Sequence, residues 1–216
     1  MTNTRTLLCA AILAATSAAA SAGDTFTNPV IRRSAPDPTV IRADDGHFYL
    51  YSTEDTPNTP IYRSDNLVDW TLIGTAFSDT SRPSWNPKGG IWAPDINKIG
   101  DKYVLYYSKS EWMGLKDAGV GVATADRPEG PFTDHGCIVS YHNTGVWCSI
   151  DPFFIEDEGR KYLIWGSYWD TFGIELTADG LSVKPGARKV HIASNFMEGS
   201  YVFKRGRYYY LFGSNG

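Results

Sequence analysis

Four acidic residues, Asp37, Asp95, Asp151 and Glu198, stand 58, 56 and 47 residues apart, each at the opening of a short apolar strand. Carboxylates spread in this way can still converge in space. Three or four of them in one cavity cannot ionise with equal ease, so their pKa values are driven apart. That separation yields a general acid and a general base from one residue type. Cleavage of a glycosidic bond is the chemistry that most naturally uses such a pair. A lone Asp-Pro at a strand start is usually only a turn, so the weight falls on the elements that repeat around these residues.

Those elements are β-hairpins. The clearest runs from Ser149 to Ser167, where Asp151 opens an apolar strand, Glu156-Asp157-Glu158-Gly159 turns the chain, and Lys161-Tyr162-Leu163-Ile164-Trp165 returns to the small residues Gly166-Ser167. The same grammar recurs from Asp37 through the turn at Asp44-Asp45-Gly46 to Ser52, from Asp95 through Gly100-Asp101 to Ser108, and from Glu198 through Arg205-Gly206 to Ser214. An acidic opening, a Gly-containing turn and an aromatic return strand are hairpin signals. A period near ~50 residues with almost no helical pattern predicts propeller blades, each a four-stranded sheet whose first strand lines a central channel. Outer strands are expected at Ile61–Ser64 and Trp70–Gly74, at Val120–Thr124 and Pro131–Asp134, and at Phe172–Leu176 with a last one near Leu181–Val183.

The expected fold is therefore all-β, a five-bladed β-propeller with about three and a half blades present in this chain. A closed propeller of this period needs roughly 250 to 300 residues. Residues 23–216 are accordingly read as one partial catalytic domain, the N-terminal part of a longer protein. If the repeats superpose, Asp37, Asp95, Asp151 and Glu198 occupy the same place in successive blades and make an acidic channel mouth.

Met1 to Ala22 reads as a signal peptide: Arg5 supplies the positive start, Leu7 to Ala15 the apolar run and Ala20-Ser21-Ala22 the small-residue cleavage site. Nothing later approaches the ~20 apolar residues of a membrane-spanning helix. The sequence thus predicts export, to a periplasmic or extracellular location. The formal charge of −4 becomes about −5 without Arg5, which argues against a nucleic-acid partner. Seven Trp, thirteen Tyr and ten Phe suit a β protein with sugar-stacking surfaces. Cys137 and Cys148, the cysteines outside the leader, lie in loop-like sequence in a chain expected in an oxidising compartment, so a bond between them is open to test. His47, His135, His142 and His191 show no metal-ligand spacing, and none is assigned to a metal.

The combination of Ala35-Pro36-Asp37-Pro38, Ile91-Trp92-Ala93-Pro94-Asp95, Ser149-Ile150-Asp151-Pro152 and Met197-Glu198-Gly199-Ser200-Tyr201 resembles glycoside hydrolase family 43, the five-bladed propellers that include arabinanases, arabinofuranosidases and xylosidases. Ser64 to Trp70 and Gly130 to Asp134 resemble that family's outer-strand segments, and the likeness extends from Asn28 to Gly216. It implies that Asp37 is the general base and Glu198 the general acid. Asp151 becomes the third carboxylate, which raises the pKa of the acid and orients it. Inverting members place base and acid roughly 6.5 to 9.5 Å apart, leaving room for water. Asp95 matches none of the family's catalytic carboxylates and is expected to be structural.

Trp92 is expected to stack on a sugar ring, Ser167 to face substrate in the channel, and Trp147 and Trp169 to line the cleft or, as the favoured alternative, to pack between sheets. No cofactor is required for this chemistry; many relatives hold a channel metal, often calcium, which the sequence leaves open here. The run from Gly166 to Leu176 resembles arabinanase-like members, which implies endo-hydrolysis of α-1,5-linked arabinan, a plant cell-wall polysaccharide. The alternatives are an exo-acting α-L-arabinofuranosidase or β-xylosidase acting on arabinan or arabinoxylan, and a non-hydrolytic carbohydrate-binding propeller. Sucrose-splitting relatives are set aside because Ala35-Pro36, rather than an Asn, precedes Asp37.

Overall fold

The computed structural model describes residues 25–194 and 197–215, and the expected signal peptide lies outside the described residues. The first sheet comprises β1 (Thr39–Arg42), β2 (Phe48–Tyr51), β3 (Pro60–Ser64) and β4 (Thr71–Thr75). The second comprises β5 (Gly90–Ile99), β6 (Lys102–Ser110), β7 (Gly119–Ala125) and β8 (Thr133–Ser140). The third comprises β9 (Phe153–Asp157), β10 (Arg160–Trp165), β11 (Asp170–Glu175) and β12 (Val190–Ser194). A fourth, two-stranded unit is formed by β13 (Glu198–Arg205) and β14 (Tyr208–Ser214). Strands follow one another in chain order within every sheet and pair antiparallel. These are three propeller blades and half of another, as the repeat predicts.

The second blade shows why these sequences make stacked sheets. Side chains alternate faces along a strand. On β6, Tyr103, Leu105 and Tyr107 enter the core shared with the first blade, while Val104 and Tyr106 enter the core shared with the third. On β7 the same alternation sends Ala123 and Ala125 one way and Val120 and Val122 the other. A strand covered on both faces loses the polar alternation of a surface strand and reads as a continuous apolar run. Burying each large apolar side chain contributes roughly 1.5 to 3 kcal/mol, so the blade interfaces, rather than the individual hairpins, hold the fold.

Gly121 on β7 lies opposite Tyr107 in the ladder, and the buried Tyr107 ring covers it. A Cβ there would stand 2.4 Å from the ring's Cζ and hydroxyl oxygen. The ring cannot simply retreat, because its hydroxyl accepts from Trp85 Nε1 at 3.1 Å and donates to Asp134. Gly121→Ala should therefore lower stability by about 1 to 3 kcal/mol, as overpacking in a filled core does. A chemical denaturation curve checks this, and a midpoint equal to wild type would contradict the packing described.

Two sequence expectations change, and the open question of a Cys137–Cys148 bond is answered. The last strand of the third blade is β12, not Leu181–Val183. There, the Thr177 hydroxyl binds Asp179, and Gly180 N–H bonds Thr177 O at 2.9 Å, closing a turn. Leu181 and Val183 then pack down onto the interblade core, leaving one isolated bridge, Leu176 to Val183. The segment is apolar because it caps a core, which strand propensity does not distinguish. Cys137 and Cys148 are both free: the first bonds Val139 O through its thiol, and the second sits on a loop that bonds Leu115. Trp147 and Trp169 are not core residues either, being 44% and 45% exposed. Trp147 instead carries the Lys116 ammonium over its ring, 4.8 Å from the centroid.

Candidate active site

A repeated backbone feature places the site. Each of the four units carries a left-handed residue beside or just inside the entry to its first strand: Asp37 at φ 50°, Ala93 at φ 41°, Asp151 at φ 57° and Gly199 at φ 60°. Positive φ is unusual for residues other than glycine, and a following proline, as at Asp37, Ala93 and Asp151, further restricts the backbone. Such conformations cost on the order of 1 to 3 kcal/mol each and persist where surrounding bonds hold them. Here those bonds are visible. Thr53 N–H bonds Pro36 O at 3.0 Å and Gly166 N–H bonds Ile150 O at 2.9 Å, flanking the two aspartates. The Asp151 N–H donates to Ser108 Oγ at 2.9 Å.

This register corrects the expected superposition. The second-blade counterpart of Asp37 and Asp151 is Ala93, not Asp95. A bulge between Trp92 and Asp95 lets β5 continue past the turn, and carries Asp95 two residues deeper. In the fourth unit the counterpart is Gly199, with Glu198 one residue before it. Two aspartates thus project from turns of one kind, and the glutamate from a different position.

Asp95 is a strut. It accepts Phe154 N–H at 2.7 Å from the third blade and Asn97 Nδ2 at 2.9 Å from its own, and the Thr39 side chain of the first blade favours its charged form. Phe154 lies three residues beyond Asp151, and Thr39 two beyond Asp37. Asp95 therefore spans the junction beneath both catalytic-type turns. Burial pushes its pKa up to about 7.

Asp37, Asp151 and Glu198 converge on one open cleft of about 1050 Å³, lined by all four units. That volume exceeds what one sugar ring needs. Asp37 is exposed to the cleft, while Asp151 and Glu198 are half-buried. Burial raises the pKa of Asp151, and the charges of Asp37 and Glu198 add to the rise. Asp151 accepts Gly199 N–H at 3.2 Å, so it grips the backbone beside Glu198. Tyr168 turns towards the same glutamate: hydrogen bonding to Glu198 is the first cause that raises its phenol above the ordinary value.

Trp92 lines the cleft, with its indole over Gly90, where a Cβ would stand 2.4 Å from Nε1. Glu54 braces this strand. It accepts Ile91 N–H at 2.7 Å, while its own N–H bonds Ile91 O at 3.1 Å, and it pairs with Arg82. Ser167, expected to face substrate, is fully buried and gives its hydroxyl to Asp151. Gly166 beside it is held at φ 110° with its Cβ position closed by Asp170 O, so that only glycine fits there. Sequence reading passed over Trp112 and Met113, which are 81% and 71% exposed on the cleft rim between β6 and β7. Two large apolar residues in a polar Glu/Lys/Asp/Gly loop were the available signal. Among the described residues no three His, Cys, Asp or Glu side chains are disposed as metal ligands.

Known proteins give this geometry a context. The arabinan endo-1,5-alpha-L-arabinosidase A of Aspergillus niger is 32% identical over 190 residues, covering 83% of this chain and 58% of that protein. The chain thus spans well under two thirds of the length of such relatives. The Cellvibrio cellulosa alpha-L-arabinanase, solved with arabinohexaose, superposes with a TM-score of 0.74 at 27% identity, covering 85% of this chain and 65% of that one. An exo-1,5-alpha-L-arabinanase from a bovine ruminal metagenomic library superposes at 0.71 with 29% identity, covering 88% and 67%. The profile of glycosyl hydrolases family 43 matches residues 26–216, every blade and each of the three cleft carboxylates included, and the chain belongs to that family.

Proposed function

We propose that this chain hydrolyses α-1,5-linked L-arabinan at internal linkages, with inversion at the anomeric carbon. The observation that carries the reading is the convergence of Asp37, Asp151 and Glu198 on one cleft, with Asp151 electrostatically coupled to the other two. Water attacks the anomeric carbon and passes a proton to Asp37, the general base. As the bond to the leaving sugar breaks, Glu198, the general acid, gives its proton to the departing oxygen. Asp151 orients the acid through Gly199 N–H and adds negative charge opposite the developing oxocarbenium ion. Trp92 supplies a face for a sugar ring. The exposed position of Asp37 suits a base that must meet water.

Arabinan as substrate is supported by the Aspergillus niger relative and by the linear oligosaccharide held by the Cellvibrio enzyme. The same reading makes the protein an exported one, with residues 1–22 as its leader. No described helix is long and apolar enough to cross a membrane.

The test is chromatography of products from linear arabinan, with Asp37→Ala as control and NMR of the first anomer released. A ladder of short oligosaccharides of inverted configuration, absent in the control, is the expected result. Monosaccharide alone would replace internal cleavage by an exo-acting α-L-arabinofuranosidase, and release from xylan instead would indicate a β-xylosidase. Retention on arabinan without any product would leave a carbohydrate-binding propeller.

A further inference from the structure

The left-handed turns are linked from blade to blade by hydroxyl groups, and the linkage differs where chemistry is expected. Ala93 N–H donates to Thr53 Oγ1 at 2.7 Å, across the junction between first and second blades. Asp151 N–H donates to Ser108 Oγ at 2.9 Å, across the next junction. Thr53 and Ser108 thus occupy matching places at the ends of second strands and accept the same bond. The place that follows in the third blade is Gly166, which has no hydroxyl. There the Asp151 carboxylate itself takes the next amide, that of Gly199.

Thr53 does something Ser108 cannot. Its hydroxyl also reaches Asp37 Oδ2, whereas the residue matching Asp37 in the second blade is Ala93. A threonine hydroxyl has one proton to donate. Because the amide of Ala93 can only donate to it, the Thr53 proton is directed to Asp37, which accepts it as a carboxylate. One carboxylate oxygen is thereby held, and the other is left for water. The same hydroxyl fixes the backbone next to Trp92.

We propose that Thr53 is the positioning residue of the general base, locking the Asp37 carboxylate to the Trp92–Ala93 turn so that the base and the sugar-stacking wall move as one unit. The proposal rests on Asp37 being the base.

The experiment compares wild type, Thr53→Val and Thr53→Ser by two readouts. Turnover of linear arabinan should fall roughly 10- to 100-fold in kcat for Thr53→Val with little change in KM, since a misplaced base costs the transition state rather than binding. Thr53→Ser should restore most of the loss. Independently of turnover, the NMR chemical shift of the Asp37 carboxyl carbon, read at one fixed neutral pH, should change in Thr53→Val, because the hydroxyl that donates to it is gone, and return in Thr53→Ser. The other acidic groups facing that cleft, Asp95, Glu111, Asp151, Glu198, Tyr168, Tyr201 and Cys148, are unchanged throughout the series. Thr53→Ala carries the same comparison with a smaller side chain. An Asp37 carboxyl resonance that does not respond in Thr53→Val or Thr53→Ala overturns the proposal, as does a kcat loss that Thr53→Ser fails to recover. The expected series of carboxyl resonances in a chain that releases nothing from arabinan would instead sink the substrate reading and leave the positioning role standing.

Discussion

Glu198→Ala should cut turnover of linear arabinan by roughly 10²- to 10⁴-fold, the range expected for loss of a positioned general acid. The loss should nearly vanish on an aryl arabinofuranoside whose phenol leaves without protonation. Asp37→Ala should lose as much on both substrates, since water still needs a base whichever group departs. The pair of variants assigned to one pair of substrates therefore separates acid from base without appeal to kinship. Initial rates on the two substrates check it. Equal losses on both for Glu198→Ala would remove the residue from the acid role. Circular dichroism should show both variants folded, because Asp37 is exposed and Glu198 half-buried at the cleft. Neither side chain carries the interblade cores.

The blades were legible because hairpin turns and aromatic return strands are local signals, and four of them recur in order. Asp37, Asp151 and Glu198 shared that periodic setting with Asp95, and only the likeness to glycoside hydrolase family 43 set them apart from it. What the sequence hid were relations that depend on register. Asp95 looked like a fourth copy because its spacing from Asp37 and Asp151 is nearly even. The bulge after Trp92 makes Ala93 the true counterpart, and an alanine gives no chemical cue. Ser167 stood beside the channel in sequence, yet it is buried with its hydroxyl given to Asp151. Trp112 has no periodic strand around it, so nothing local separated a cleft-rim aromatic from a core one. Thr53 carried even less signal, since its meaning comes from Ala93, forty residues away, and from the one proton its hydroxyl can give.

Asp95→Asn should be more stable than wild type above neutral pH and should converge with it in acid. Burial raises the Asp95 pKa from an ordinary 3.8 to about 7. A carboxyl raised on folding binds its proton more tightly in the native state, so its favourable contribution is full below the unfolded pKa and is lost as pH rises through the folded one. The window therefore runs from about pH 4 to about pH 7. Above it, folding holds a carboxylate between three blades with only hydrogen bonds for compensation. Asparagine keeps the acceptor that meets Phe154 N–H and Asn97 Nδ2, turns a neutral amide towards Thr39, and has no charge to bury. The shift corresponds to a few kcal/mol at 1.36 kcal/mol per pKa unit. Because Asp95 also touches the floor of the cleft, water reaches it, and a difference on the order of 2 kcal/mol is the expected plateau. Asp95→Leu separates charge from bonding: it too removes the carboxylate but orphans the Phe154 amide, which costs about 1 to 3 kcal/mol at every pH. Denaturant titrations of the three proteins at pH 4, 5.5, 7 and 8 measure both effects. An Asn variant whose stability runs parallel to wild type across that range would show that Asp95 does not titrate between folded and unfolded states in this window. The strut would then be a permanently ionised carboxylate, held by Phe154, Asn97 and Thr39 against its burial.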